Sequence, residues 1–172
     1  MEMVAEIINE HIAGGVAHFG DAPTTEAWWA AEWQANHERY PWLVPERDGV
    51  SGGLAYGLTF YSSAAYDWTA EVSIYLRVGL QGQGLGTQLY ERLVPLLDAQ
   101  GYRCLIAGIT TPNEGSVRLH ERFGFVHLGT LERVGYKMGA WHNVGSWQRL
   151  VGPMDDLEPA PVKPVSEVWP GS

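Results

Sequence analysis

The chain has 172 residues, the length of one domain with a core of its own. Hydrophobic residues make up 45% and charged residues 18%, which excludes a disordered chain. A formal net charge of −9 argues against nucleic acid and anionic membranes as partners.

Read in chain order, "EIINEHIAGGVAHF" predicts the end of an amphipathic helix that stops at Gly14-Gly15. "TTEAWWAAEWQANHER" predicts a second helix, capped by Thr24 or Thr25, with Trp29 and Trp33 one turn apart. "YPWLVPE", "GGLAYGLTFYS" and "AAYDWTAEVSIYLRV" read as strands, with Asp48-Gly49 as a hairpin signal. A long helix follows from about Leu85 to Gln100. Leu85, Leu89, Leu93 and Leu97 share one face, Pro95 is placed to bend it, and Gly101 is placed to end it in the left-handed conformation. "CLIAGIT" is a buried strand, and its Cys104 is expected to be a buried structural thiol. As the only cysteine, it allows no intrachain disulfide and no cysteine metal cluster. "NEGSVRLHERFGF" is a helix capped by Asn113 and stopped at Gly124. "VHLGTLERVGYKMGAW" and "VGSWQRLV" are closing strands. Residues 152–172 hold half of the ten prolines and read as an extended tail behind a domain of residues 1–151. This order of elements predicts a mixed α/β or α+β fold around one sheet. No apolar run reaches the ~18 residues of a membrane span, and no basic-then-apolar signal opens the chain, so a cytoplasmic protein is expected.

The segment "YLRVGLQGQGLGTQLYERLVPLL" carries the most information. Gly82, Gly84 and Gly86 alternate at the start of the long helix. No Lys follows them, so this is not a Walker loop, and the G-x-G-x-G spacing is not the dinucleotide fingerprint. What remains is Gln81-x-x-Gly84-x-Gly86. Bare amides at a helix N-terminus can wrap a pyrophosphate, because orphan N–H groups and the helix dipole both favour negative charge. A plain strand-to-helix turn explains the same glycines.

A Q-x-x-G-x-G turn between strand and helix resembles the acyl-CoA pyrophosphate loop of the GNAT acyltransferase superfamily. "RYPWLV", "AYDWTAEVSIYL", "GLGTQLYERL", "NEGSVRLHERFGF" and "GYKMGAWHNVGSWQR" together resemble its phosphinothricin/methionine-sulfoximine N-acetyltransferases, over roughly residues 7–150. The resemblance implies a mixed, mostly antiparallel central sheet flanked by helices. That family begins with a short strand before its first helix. This chain opens at "MEMVAEIINEH", already inside the helix, so the first strand is expected to be missing and the sheet edge beside it uncovered.

The resemblance also implies acetyl-CoA as co-substrate, no metal, a small-molecule amine as acceptor and a homodimer joined through the aromatic C-terminal segment. Glu71 and His120 match the family's acid/base residues. Taken alone, Glu71 reads first as an ion-paired carboxylate on a sheet face and His120 as a satisfied helical histidine; the resemblance is what favours acid/base roles for both. Ile74, Tyr75 and Leu76 are expected to offer backbone groups to a pantetheine arm, as an added strand would receive them. Gln81, Gly82, Gln83, Gly84, Leu85, Gly86 and Thr87 form the expected cradle. Asn113 and Ser116 are further cofactor candidates, or a helix cap only. Tyr66 and Trp68 are candidate walls of the acceptor pocket, or core. Family members that acetylate phosphinothricin carry basic residues just before "AYDW". Here that place reads "FYSSAAYDW", without Lys or Arg, which counts against phosphinothricin itself. His11, His18, His37, His127 and His142 show no shared metal-ligand spacing and read as structural or solvated. The alternatives are a protein or peptide N-acetyltransferase, and an acyl-CoA-binding sensor without turnover.

Overall fold

A computed structural model describes residues 1–47, 50–155 and 157–169. The first helix, α1 (Glu2–Gly14), is followed by α2 (Glu26–Asn36), whose N-terminus is capped by the Thr25 hydroxyl accepting from the Trp28 amide. Strands β1 (Trp42–Leu43), β2 (Glu46–Arg47), β3 (Val50–Ser51) and β4 (Gly53–Thr59) come next. The predicted Asp48-Gly49 turn lies outside the described residues; β2 and β3 on either side of it pair antiparallel. Then follow β5 (Thr69–Leu76), α3 (Leu85–Gln100), β6 (Cys104–Thr111), α4 (Glu114–Arg122), β7 (Val126–Lys137), β8 (Ala140–Leu150) and one turn of helix, α5 (Val165–Val168).

Six strands form one sheet in the order β1-β4-β5-β6-β8-β7. Every pairing is antiparallel except β5 with β6, whose parallel crossover is supplied by α3. Alternation along β5 divides the molecule. Ala70, Val72, Ile74 and Leu76 face the larger core, built with Leu89, Leu93 and Leu97 of α3 and with α4. Tyr75 faces the other way, into a smaller cluster under α1 and α2 that holds Ile8, Trp29, Leu54 and Tyr56. Leu93 and Leu97 are fully buried, so truncating either to Ala costs about 2–5 kcal/mol. Arg77, just past β5, pins α1 to the sheet through Glu6 at 2.6 Å and Glu10 at 2.8 Å.

Most predicted elements stand where the patterns placed them. Pro95 lies inside α3 without ending it, and Gly101 closes it at φ 98°. The sheet ends at β1, which pairs only with β4 among the described residues. Four expectations change. "AAY" is a 3-10 turn (Ala64–Tyr66) rather than the start of β5. "GYKMGAW" is not continuous strand: Met138 and Gly139 both take positive φ and form the tight turn between β7 and β8, so the pattern of apolar residues ran across a hairpin tip. Cys104 is only half-buried and accepts from Gln148 Nε2 at 3.2 Å, because it points to the less covered face of the sheet. The tail is not simply extended. The Lys163 amide donates to Gln100 O, Gln100 Nε2 returns a bond to Lys163 O, and the Val165 amide donates to Glu38 O. Val165 is buried, so these segments strap the larger core.

Candidate active site

The β5–β6 ladder stops early. Its pairs are Thr69↔Cys104, Ala70↔Leu105 and Glu71↔Ile106, yet β5 runs on to Leu76 and β6 to Thr111. Beyond Glu71 the two strands part, and the inner edges of both are released from pairing with each other. The gap holds a small cavity of about 60 Å³ lined by Val72–Tyr75, Gly108–Thr110, Asn113, Ser116, His120 and Ala17. It adjoins a larger cavity of about 750 Å³, bounded by Ile74–Leu76, by the glycine loop and start of α3, by one flank of α4, and by His11 and Ala17.

The glycine loop forms one wall of the larger cavity. Gly82 and Gly84 take φ of 76° and 85°, and a Cβ on either would meet no heavy atom within 4 Å. Both glycines are therefore needed for backbone shape, and the space beside them is open. Gly84 is the N-cap of α3 and brings no side-chain cap; the first backbone bond of the turn runs from Gln88 N to Gly84 O at 3.0 Å. The amides of residues 85–87 thus begin the helix without intrahelical partners, which is the arrangement that receives an anion. Gly86 differs: its φ is not left-handed, and a Cβ there would come 3.1 Å from Leu119 Cδ2. Its bareness lets α4 close on α3.

Gln81, Gly82, Gly84, Gly86, Thr87, Ile74, Tyr75, Leu76, Asn113 and Ser116 all line the larger cavity. Gln83 and Leu85 do not. The Gln83 amide folds back onto Gly79 O at 3.1 Å, and Leu85 packs over Gly52. The Asn113 carboxamide caps α4 by accepting from the Ser116 amide at 3.2 Å.

Glu71 occupies the last paired position, at the root of the gap. By the alternation of β5 it shares a face with Ser73 and Tyr75, on the side of α1 and α2. Burial raises the Glu71 carboxyl above its ordinary value. Tyr75 is pushed up to about 12, first by burial and then by the Glu71 charge. Tyr56 is raised too, chiefly by burial. Glu71 is thus a carboxylate walled by neutral phenols.

His120 is 3% exposed and lies against α3, on the opposite face of the sheet from Glu71. Its Nδ1 is 2.8 Å from Ser116 O, an atom that can only accept, so Nδ1 carries the proton. Nε2 then accepts from the buried Tyr90 hydroxyl at 2.8 Å. Burial lowers the imidazole pKa, outweighing the opposing bond to Ser116, so the ring is neutral at pH 7. It touches the small cavity with its edge while both nitrogens are engaged within the protein.

Tyr66 and Trp68 line neither cavity. Tyr66 packs edge-on to Tyr61 and Phe60, and Trp68 Nε1 donates to Ala160 O at 2.7 Å, tying the tail to the start of β5. Sequence reasoning did not place His11, Ala17, Arg118 and Arg122 at the cavity. Arg118 and Arg122 sit one turn apart on the flank of α4 that carries Gly115 and Leu119, so helical spacing could have found them. His11 and Ala17 carry no such signal. Among the described residues no group of three or more His, Cys, Asp or Glu is placed to hold a metal ion.

Residues 4–125 match the model of the acetyltransferase (GNAT) family. The chain is 41% identical to a phosphinothricin N-acetyltransferase of Streptomyces viridochromogenes, covering 98% of this chain and 91% of that protein. It is 30% identical to an L-methionine sulfoximine/L-methionine sulfone acetyltransferase of Pseudomonas paraeruginosa, over 87% of this chain and 88% of the relative. Among solved structures, a GNAT superfamily phosphinothricin acetyltransferase of Sinorhizobium meliloti, in complex with acetyl-CoA, superposes with a TM-score of 0.86. The two share 32% identity over 91% of this chain and 86% of that one.

Proposed function

This chain belongs to the GNAT acetyltransferase family, and from that premise we propose that it acetylates the amine of a small amino acid or amino-acid analogue of the phosphinothricin or methionine sulfoximine kind. It is an acetyl-CoA-dependent N-acetyltransferase. The observation that carries the acceptor side of this reading is the gap between β5 and β6, with a carboxylate at its root and an anion cradle at its mouth.

The residues present fit acetyl-CoA. Two left-handed glycines open onto free space, α3 begins without a side-chain cap, and the inner edge of β5 is unpaired with β6 from Val72 onward. The loop of residues 81–87 would hold the pyrophosphate through backbone amides, and residues 74–76 would offer main-chain groups to the pantetheine amides. Asn113 and Ser116 stand at the opposite wall. When bound, acetyl-CoA supplies an acetyl group already activated as a thioester.

Glu71 is the proposed base. An acceptor arrives as an ammonium and must lose a proton before its nitrogen can attack. A carboxyl raised by burial is a stronger base than an exposed one, and Glu71 holds the last β5–β6 pair at the root of the gap; its side chain lines neither cavity, so in this reading a water carries the amine's proton to it. The free amine would then attack the thioester carbonyl directly, without an acyl-enzyme: the C–N bond forms as the C–S bond breaks, and the departing thiolate would take up the proton the amine sheds, through water. His120 enters this reading as a positioning residue. Its bonds to Ser116 and Tyr90 lock the first turn of α4 against α3, where Asn113 and Ser116 face the cavity.

The catalytic domain in this reading is residues 1–151 and the Pro-rich tail is residues 152–172, with Ala160, Lys163 and Val165 bonded back to the domain. We place the protein in the cytoplasm; no described helix is long and apolar enough to cross a membrane. A second copy of the chain is the proposed macromolecular partner. Leu128, Leu131, Tyr136 and Trp141 are each more than half exposed on the β7–β8 hairpin, a surface that favours burial against another chain.

A panel of amino acids with sulfoximine, sulfone and phosphinate analogues, scored by CoA release, tests the reading. Turnover confined to small α-amino acids or their analogues is expected. Turnover with peptides alone, or binding of acetyl-CoA without turnover of any member, would overturn it.

A further inference from the structure

The loop joining α1 to α2 is held from across the sheet by one lysine. Lys137, the last residue of β7, directs its ammonium at two backbone carbonyls of that loop region, Ile12 O and His18 O, both at 2.7 Å. Ile12 belongs to the last turn of α1, whose carbonyls have no intrahelical partner. The ammonium therefore caps α1 in trans, where the helix dipole favours a cation, and both bonds are of the strong charge-assisted type.

The same stretch of β7 grips the loop a second way. A Cβ on Gly135 would lie 2.6 Å from Phe19 Cζ, so the Phe19 ring rests directly on the Gly135 backbone. Between these anchors sits Ala17, which lines both the small cavity in the gap and the large cavity beside it. His11, one residue before Ile12, bonds Leu76 O at 2.8 Å and borders the large cavity. The loop is thus a roof over the junction of the two cavities, and what fixes its height is chemistry on a distant hairpin.

We infer that Lys137 is a positioning residue for the acetyl-transfer reaction: its ammonium clamps residues 12–18 so that Ala17 closes the junction where amine and thioester meet. This rests on the acetyltransferase reading of the cavities. Lys137 itself touches neither cavity, so it acts through the loop. Loss of the clamp leaves the glycine cradle on α3 untouched and loosens the roof over the junction of the two cavities.

The experiment uses the full chain with Lys137→Met and Lys137→Arg. Backbone hydrogen exchange over residues 13–20 is read first, since it needs no substrate. Exchange there is expected to quicken by about tenfold in Lys137→Met, the loss of ~1.4 kcal/mol of restraint, and to stay near the parent rate in Lys137→Arg. With L-methionine sulfone as acceptor, the KM for the sulfone rises severalfold in Lys137→Met. The Kd for acetyl-CoA stays unchanged, and thiol release without acceptor grows relative to transfer. Unchanged exchange of residues 13–20 in a folded Lys137→Met, or a fall in kcat with the sulfone KM unmoved, overturns the clamp. If the parent protein does not acetylate the sulfone, the acceptor reading fails there, and the exchange measurement alone decides the clamp.

Discussion

The two faces of the central sheet meet at the gap between β5 and β6, and they are built in opposite ways. On the α3–α4 side, one continuous stretch of chain makes the site. Strand β5 turns through three left-handed glycines, Gly79, Gly82 and Gly84, into a 16-residue helix, whose buried leucines anchor it to the larger core. On the α1–α2 side nothing is continuous. Glu71 comes from β5, the roof from residues 12–20, and the hold on that roof from β7. The cluster beneath α1 and α2 is the smaller one; polar bonds from Arg77 and Lys137 add to its hold on α1, and Asn9 ties α1 to Thr24 just ahead of α2. A cradle held by one continuous segment thus stands beside a wall assembled from distant anchors, so the acceptor side can change by loop and anchor without disturbing the cradle.

The comparison breaks most sharply at the base. Glu71→Gln is expected to lower kcat by about 10²–10⁴-fold, the range for losing a general base, while calorimetry finds acetyl-CoA binding intact. In the parent, turnover should rise with pH through the carboxyl value that burial holds above its ordinary range, and the Gln variant should lack that limb. A loss under tenfold at every pH would make Glu71 a structural carboxylate and leave the acceptor side without a base.

The opposite separation belongs to Gly84. Its φ is 85°, which costs an L-residue roughly 1–2 kcal/mol, and a side chain there would enter the space beside the cradle. Gly84→Val is expected to weaken acetyl-CoA binding on the order of tenfold or more, since ~1.4 kcal/mol is tenfold, in a protein that still folds. Unchanged affinity in a folded variant would remove the loop from the site.

The smallest effect sharpens the contrast through stability rather than rate. His120 has a lowered folded pKa, so the folded state binds fewer protons than the unfolded one between that value and the ordinary imidazole value. Its contribution to stability is present above the ordinary value and is lost as pH falls toward the folded one. Glu71, with a raised folded pKa, has the reverse sign: its contribution is lost as pH rises through the raised value. Thermal melts against pH should therefore show His120→Gln flattening the decline on the acid side. Turnover should suffer less than in Glu71→Gln. A kinetic loss as large as that of Glu71→Gln would return His120 to proton transfer.

Short-range patterns made most of the fold legible. The leucine spacing marked α3 to its ends, Asn113 marked the start of α4, and Gly101 and Gly124 marked two helix stops, because caps and left-handed glycines act within one turn of chain. The same locality made the cradle readable: Gln81, Gly82, Gly84, Gly86 and Thr87 are neighbours in sequence and neighbours at the cavity. The Met138-Gly139 turn was hidden because apolar and aromatic residues continue on both sides of it, so no change of pattern announces the reversal.

The rest of the site depends on contacts between residues far apart in the chain. That β5 and β6 part after Glu71 is visible only in the register of the folded sheet. That His120 donates to Ser116 and accepts from Tyr90, and that Trp68 serves the tail, depends on which surfaces the crossover and the strap bring together. Ile12 and Lys137 are 125 residues apart, and no periodicity links a helix-end carbonyl to an ammonium on a hairpin. Sequence determines such contacts only through the whole packing, because a hydrogen bond reaches about 3 Å while the pattern that sets local structure spans only a few residues.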